Sequence, residues 1–188
     1  MRLFFDSNIL TYIAIFENFF NERTESSWEE ANMVWTQLQG NTLDVNLERE
    51  IQALLLIYLI DDKAHFDWLC SDIAIGEISR ISDVTKRYWH SDLIGRLMEH
   101  RQNVYEEEER VLDNDERDNI YNALLADLPK RMHDDGRQFC EALVVDADYF
   151  ITNDTEFIKK IKDYDVAQIA IKASDIPFVR LALENGSV

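Results

Sequence analysis

The chain has 188 residues, enough for one domain with a sizeable core, and its 46% hydrophobic content excludes general disorder. Five Gly and two Pro are few breakers for this length and favour helix over an all-β fold. Lys and Arg number 19 against 37 Asp and Glu, a net charge of −18; this argues against indiscriminate attraction to nucleic acid, but not against a site where metal ions offset carboxylates.

Arg2-Leu3-Phe4-Phe5 is a short apolar run ending at Asp6, the pattern of a buried first strand. Ser7 or Asn8 can cap a helix from Ile9 to about Phe20. Ser26 and Ser27 open a second helix to about Gln39, with Trp28 and Trp35 on one face as core or interface, and Gly40-Asn41 closes it. Residues 46–61 form a third helix, apolar nearly all round from Ala53 to Ile60 and therefore central to the core. That run is too short to span a bilayer.

Residues 65–70 read as a second strand, and Ser71-Asp72 starts the helix that carries Glu77. Residues 83–109 make one long helix with Val84, Tyr88, Leu93, Leu97, Met98 and Val104 as its apolar positions, ending in the acidic run Glu106 to Glu109. A further helix spans about 115–128, and Pro129 stops it. A helix over 134–144 begins at Asp134-Asp135. Tyr149 to Thr152 is a strand, Asp154 precedes a helix to about Ile161, Val166 to Ile171 is another strand, and Ser174 caps a last helix to about Leu183. Alternating strands and helices predict an α/β fold: a short central parallel sheet flanked by helices, one domain over 1–188, with helical elaboration at about 21–64 and 83–128.

Cys70 and Cys140 lie far apart in apolar surroundings and read as buried free thiols of a reducing cytoplasm. Asp6, Asn8 and Glu17 interrupt the opening segment, which a secretory leader would not tolerate. The reading is a cytoplasmic protein with no membrane partner. His65, His90, His100 and His133 show no ligand spacing.

Asp6 and Asp154 each follow an apolar strand, and the carboxyl ends of strands form the ligand crevice of an open α/β sheet. Glu77 and the pair Asp134-Asp135 sit on helices that can reach the same edge. Carboxylates gathered in such a crevice either rise in pKa or bind a cation. An oxygen-only donor set suits Mg²⁺ or Mn²⁺ rather than zinc. Each acid also has a plainer reading: Asp6-Ser7-Asn8 and Asp154 as helix caps, Asp134 and Asp135 as complements to a helix dipole, Glu77 as a solvated helix residue. The spacing to Asp154 favours Asp135 over Asp134.

The segments around these acids resemble PIN domains. Leu3-Phe4-Phe5-Asp6-Ser7-Asn8 is similar to the family's opening strand, which ends in Asp-Ser/Thr-Asn. Asp135-Gly136-Arg137-Gln138-Phe139-Cys140-Glu141-Ala142, running on to Asp148-Tyr149-Phe150-Ile151-Thr152-Asn153-Asp154 and Phe157, resembles its third and fourth acidic motifs. Ile73-Ala74-Ile75-Gly76-Glu77-Ile78 resembles the helix bearing the second acid. The likeness covers residues 2–20 and 134–172 and is weak over 21–70 and 80–130.

The resemblance implies a metal-dependent phosphodiesterase acting on RNA more readily than DNA. Asp6, Glu77, Asp135 and Asp154 would hold one or two Mg²⁺ or Mn²⁺ ions. Asn8 and Thr152 or Asn153 would orient these acids by hydrogen bonds. Lys130, Arg131, Lys159 and Lys160 would line a substrate path, although surface lysine is the commoner role. The toxin half of a toxin–antitoxin pair is the nearest functional analogy, with an antitoxin or other protein partner, and a homodimer is compatible with the sequence. The alternative is a PIN-like module that no longer cleaves and binds protein through the acidic helix around 99–118. An aspartyl-phosphate hydrolase is disfavoured, because position 8 is Asn rather than a second Asp.

Overall fold

The computed structural model describes residues 1–17, 33, 45–78, 80–82, 84–107 and 114–185. The predicted helix around Trp28 and Trp35, and the side chains of Glu106 to Glu109, lie outside the described residues.

Four short strands form one parallel sheet: β1 (Arg2–Phe5), β2 (Asp67–Cys70), β3 (Tyr149–Ile151) and β4 (Ala170–Ile171), in the order β2-β1-β3-β4. β1 is central, with Phe4 opposite Leu69 on one side and Phe150 on the other. Successive side chains alternate between the faces of the sheet. Leu3, Phe5 and Ile151 join one apolar cluster, and Phe4, Leu69 and Phe150 join a second. Both faces are therefore buried, as a parallel sheet requires.

The first cluster is filled by α1 (Ser7–Glu17), α2 (Val45–Ala64), α3 (Asp72–Ile78), α4 (Val84–Glu107) and α8 (Pro177–Glu184). α2 buries Ile51 and Ala53 to Ile57, but Leu59 is 50% exposed and Tyr58 and Ile60 are partly buried, so only the first part of the predicted Ala53–Ile60 run is central to the core. The second cluster is filled by α5 (Asn114–Asp127), α6 (His133–Val144) and α7 (Thr155–Ile161). There Phe139, Phe150 and Phe157 pack edge-on, with ring centroids 5.6–6.0 Å apart. The chain turns from α6 into β3 through Asp146, whose φ of 50° is the left-handed conformation that Asp tolerates.

Several expectations are corrected. The first helix starts at Ser7, not Ile9, because the Asp6 carbonyl already accepts from Ile9 N–H (3.0 Å) and Leu10 N–H (3.4 Å). The predicted strand from Val166 shortens to Ala170–Ile171, preceded by a 3-10 turn (Asp165–Ile169). β3 has three residues, so this edge has little to pair with. Ser174 does not cap the last helix; it lies in a 3-10 turn, and α8 opens with Pro177 in its first turn.

Val84 and Tyr88 are exposed, at 75% and 63%, although placed on the apolar face of their helix by the sequence pattern. The 24-residue α4 is about 36 Å long, whereas four-residue β2 spans about 13 Å. The helix accordingly buries its middle, Leu93, Ile94 and Leu97. Cys70 and Cys140 are buried and form no disulfide, and burial pushes the Cys140 thiol up to about 12. Among the described residues no helix is long and apolar enough to cross a membrane.

Candidate metal centre

Asp6 leaves β1 in the middle of the sheet and is 1% exposed. Its backbone N–H donates to Ile151 O (3.0 Å), so the strand pairing itself fixes the residue. Both carboxylate oxygens are engaged. Thr152 Oγ1 donates to Oδ2 at 2.8 Å, and Ser7 Oγ lies 3.2 Å from Oδ1. Burial holds this carboxyl above its ordinary pKa; the Thr152, Ser7 and Asn8 backbone donors pull it back, and the Glu77 charge adds to the rise.

The two hydroxyls extend the cluster in opposite directions. Ser7 Oγ also hydrogen-bonds Glu77 Oε2, which links the carboxyl end of β1 to α3. Thr152 Oγ1 also accepts from Asp154 N–H at 3.1 Å, which fixes the turn out of β3. Asp154 caps α7: its Oδ1 accepts from Glu156 N–H (2.8 Å) and Phe157 N–H (2.9 Å). The capping role is thus real, and it leaves Oδ2 for other partners.

Asp135 enters from α6. Neighbouring helix residues are about 100° apart around the axis, so Asp134 and Asp135 cannot face the same way. Gly136 is buried against α5, where an added Cβ would stand 2.8 Å from Leu128 Cδ1. With Gly136 turned to α5, Asp134 is exposed and paired with Arg137 at 3.2 Å. Asp135 is half-buried. Burial first, then the charges of Asp6, Asp154, Glu77 and Asp134, push its carboxyl from 3.8 to about 7.

Asp135 therefore feels the other three acids at once. Among the described residues none of the four is in an ion pair. No three His, Cys, Asp or Glu side chains among the described residues are gathered tightly enough to hold one ion as they stand. The donor set is oxygen only, which fits Mg²⁺ or Mn²⁺. Asn153 Oδ1 is buried and has no hydrogen-bond partner among the described residues, so this oxygen does not orient an acid as the resemblance implied for Thr152 or Asn153.

The other expected residues divide. Thr152 orients Asp6 as the sequence suggested. Asn8 does not do so through its side chain, which is exposed; its backbone N–H serves instead. Lys130 and Arg131 lie exposed in the 3-10 turn (Lys130–Met132) ahead of α6, and Arg131 is bound to Glu156. Lys159 and Lys160 lie in the last turn of α7, about 8 Å along the axis from Asp154, where they complement the helix dipole. Ser7 was read from sequence only as a cap. Its hydroxyl also reaches Glu77, 70 positions away, which no local pattern reveals.

Comparison of the chain with protein-family models, with curated proteins and with solved structures finds no match.

Proposed function

We propose that the protein is a phosphodiesterase of PIN type that cleaves RNA with Mg²⁺ or Mn²⁺. One observation carries this reading: the Ser7 and Thr152 hydroxyls tie Asp6 to Glu77 and to the Asp154 backbone, and among the described residues none of Asp6, Glu77, Asp135 and Asp154 is in an ion pair. Fixed carboxylates without a counter-charge are costly unless they are used.

Asp6, Glu77, Asp135 and Asp154 would hold the ion, with Asn153 Oδ1 as a neutral donor. A bound divalent ion lowers the pKa of a coordinated water and offsets charge on the leaving oxygen. The chain's own part is orientation. Thr152 and Ser7 fix the Asp6 carboxylate by donated or shared protons, and Asp154 is locked by two backbone donors on one oxygen.

The test is cleavage of single-stranded RNA and of DNA with Mg²⁺, with Mn²⁺ and with EDTA. RNA cleavage is expected with either metal and none with chelator. Asp6→Asn keeps a hydrogen-bonding group between Ser7 and Thr152, so its circular dichroism should match the parent while cleavage falls to background. Undiminished cleavage by Asp6→Asn and by Asp154→Asn sinks the assignment. The open spacing of the four acids favours one second reading, a PIN-like module that binds protein and does not cleave. Failure of the parent to bind Mn²⁺ in calorimetry would select it.

A further inference from the structure

The sheet edge that carries the acids continues to β4, where sequence reading marked nothing. Ile151 is in register with Ile171, and Thr152 N–H donates to Ile171 O at 3.1 Å. The next residue, Lys172, is therefore level with Thr152, the residue that holds Asp6. Strands lie about 4.8 Å apart, so the Lys172 backbone is one strand from Thr152 and about 10 Å from Asp6.

Lys172 is anchored. Its Nζ lies 4.0 Å from Glu50 Oε1, and the two side chains are 23% and 5% exposed. Glu50, in the second turn of α2, does not depend on it. Ser174 N–H donates to Glu50 Oε2 at 3.1 Å, and the Ser174 hydroxyl donates to Oε1. With Glu50 served by two donors, the ammonium is held at the limit of contact and keeps donors of its own. The cations named from sequence are placed differently: Lys130 is exposed in the turn ahead of α6, Arg131 is taken by Glu156, and Lys159 and Lys160 sit at the far end of α7.

We propose that Lys172 binds a phosphate of the RNA strand next to the one met by the acids. The inference rests on the nuclease reading above. A strand running along the edge of a chain with net charge −18 needs a fixed cation where it leaves the acid cluster. A half-buried lysine stem held by Glu50 supplies that charge with little rotamer freedom left to lose.

The experiment uses the full chain and a fluorescein-labelled single-stranded RNA. Cleavage kinetics are followed with Mn²⁺, and binding by anisotropy across a salt series with the Asp6→Asn protein. Lys172→Met should raise KM about tenfold, the worth of one charged hydrogen bond, with kcat within about twofold. It should lower the slope of log K against log salt by about 0.7. Lys172→Arg should restore both. If Lys172→Met does not fold, Lys172→Gln is read in its place. Unchanged KM and salt slope beside an active parent would overturn the proposal and leave the nuclease reading intact; Lys172 would then only neutralise Glu50. A parent that binds RNA without cleaving fails the nuclease reading while the slope still judges Lys172. A parent that neither binds nor cleaves overturns both.

Discussion

The two ends of the parallel sheet treat the same residue types in opposite ways. At the amino end, acids find partners within the chain. Asp67 meets His100 at 3.0 Å and Arg2 at 4.0 Å, and Asp148 accepts from Arg2 N–H at 2.8 Å. Nearby, Asp61 accepts from the Trp68 indole (2.8 Å) and from Phe66 N–H (2.9 Å), and Glu17 is bound by Arg96. At the carboxyl end, Asp6, Glu77 and Asp154 meet hydroxyls and backbone N–H groups, and Asp135 is half-buried. Asp6 is almost fully buried, which sets it apart from the exposed acids elsewhere on the chain, such as Asp146, Asp163 and Asp175.

That contrast can be broken most sharply at Asp154, which has both a local and a proposed chemical role. Asp154→Ser keeps an oxygen that can cap α7, so the fold should persist while metal-dependent cleavage falls to background. Asp154→Ala should lose cleavage and also about 1 kcal/mol of stability in urea unfolding. Parent-like cleavage by Asp154→Ser would reduce the residue to a cap.

A smaller effect concerns pH. The Asp135 carboxyl stands at about 7 in the folded chain against 3.8 ordinarily, so the folded state binds more protons between those values. Its contribution is complete below about pH 4 and is lost as pH rises toward 7. In metal-free protein, Asp135→Asn should remove this loss. After allowance for solvent screening of a half-buried group, the variant should gain about 1–2 kcal/mol on the parent at pH 8 relative to pH 4. Saturating Mn²⁺ should erase the difference. Parallel stability–pH curves in chelator would show that Asp135 does not feel the other acids.

The smallest effect belongs to the amino end. Asp67→Asn breaks a pair whose side chains are 43% and 37% exposed, and should cost no more than about 0.5 kcal/mol and leave cleavage unchanged. A loss of cleavage there would remove the distinction between the two edges.

Asp6 and Asp154 were legible in the sequence because a short apolar run ending in a polar residue marks a strand end, and strand ends converge in a parallel sheet. Thr152 entered only through the resemblance, as one of two candidates with Asn153. Ser7 was not, since its hydroxyl serves a residue one position away and another 70 positions away. Lys172 was not, because a lysine after two apolar residues reads as ordinary surface. The strand from Val166 was read too long because edge pairing depends on the neighbour's length, which composition does not encode.

By itself the sequence determined the period-two and helical patterns, and hence which residues end strands and which carry acids. Tertiary structure decided the order β2-β1-β3-β4, which makes β1 central and lets Asp6 meet groups from both sides. It also left Asp134 exposed and paired with Arg137 and Asp135 half-buried, in line with the preference that the spacing to Asp154 gave. Both outcomes depend on close packing between segments distant in sequence, and packing is set by shape rather than by local pattern.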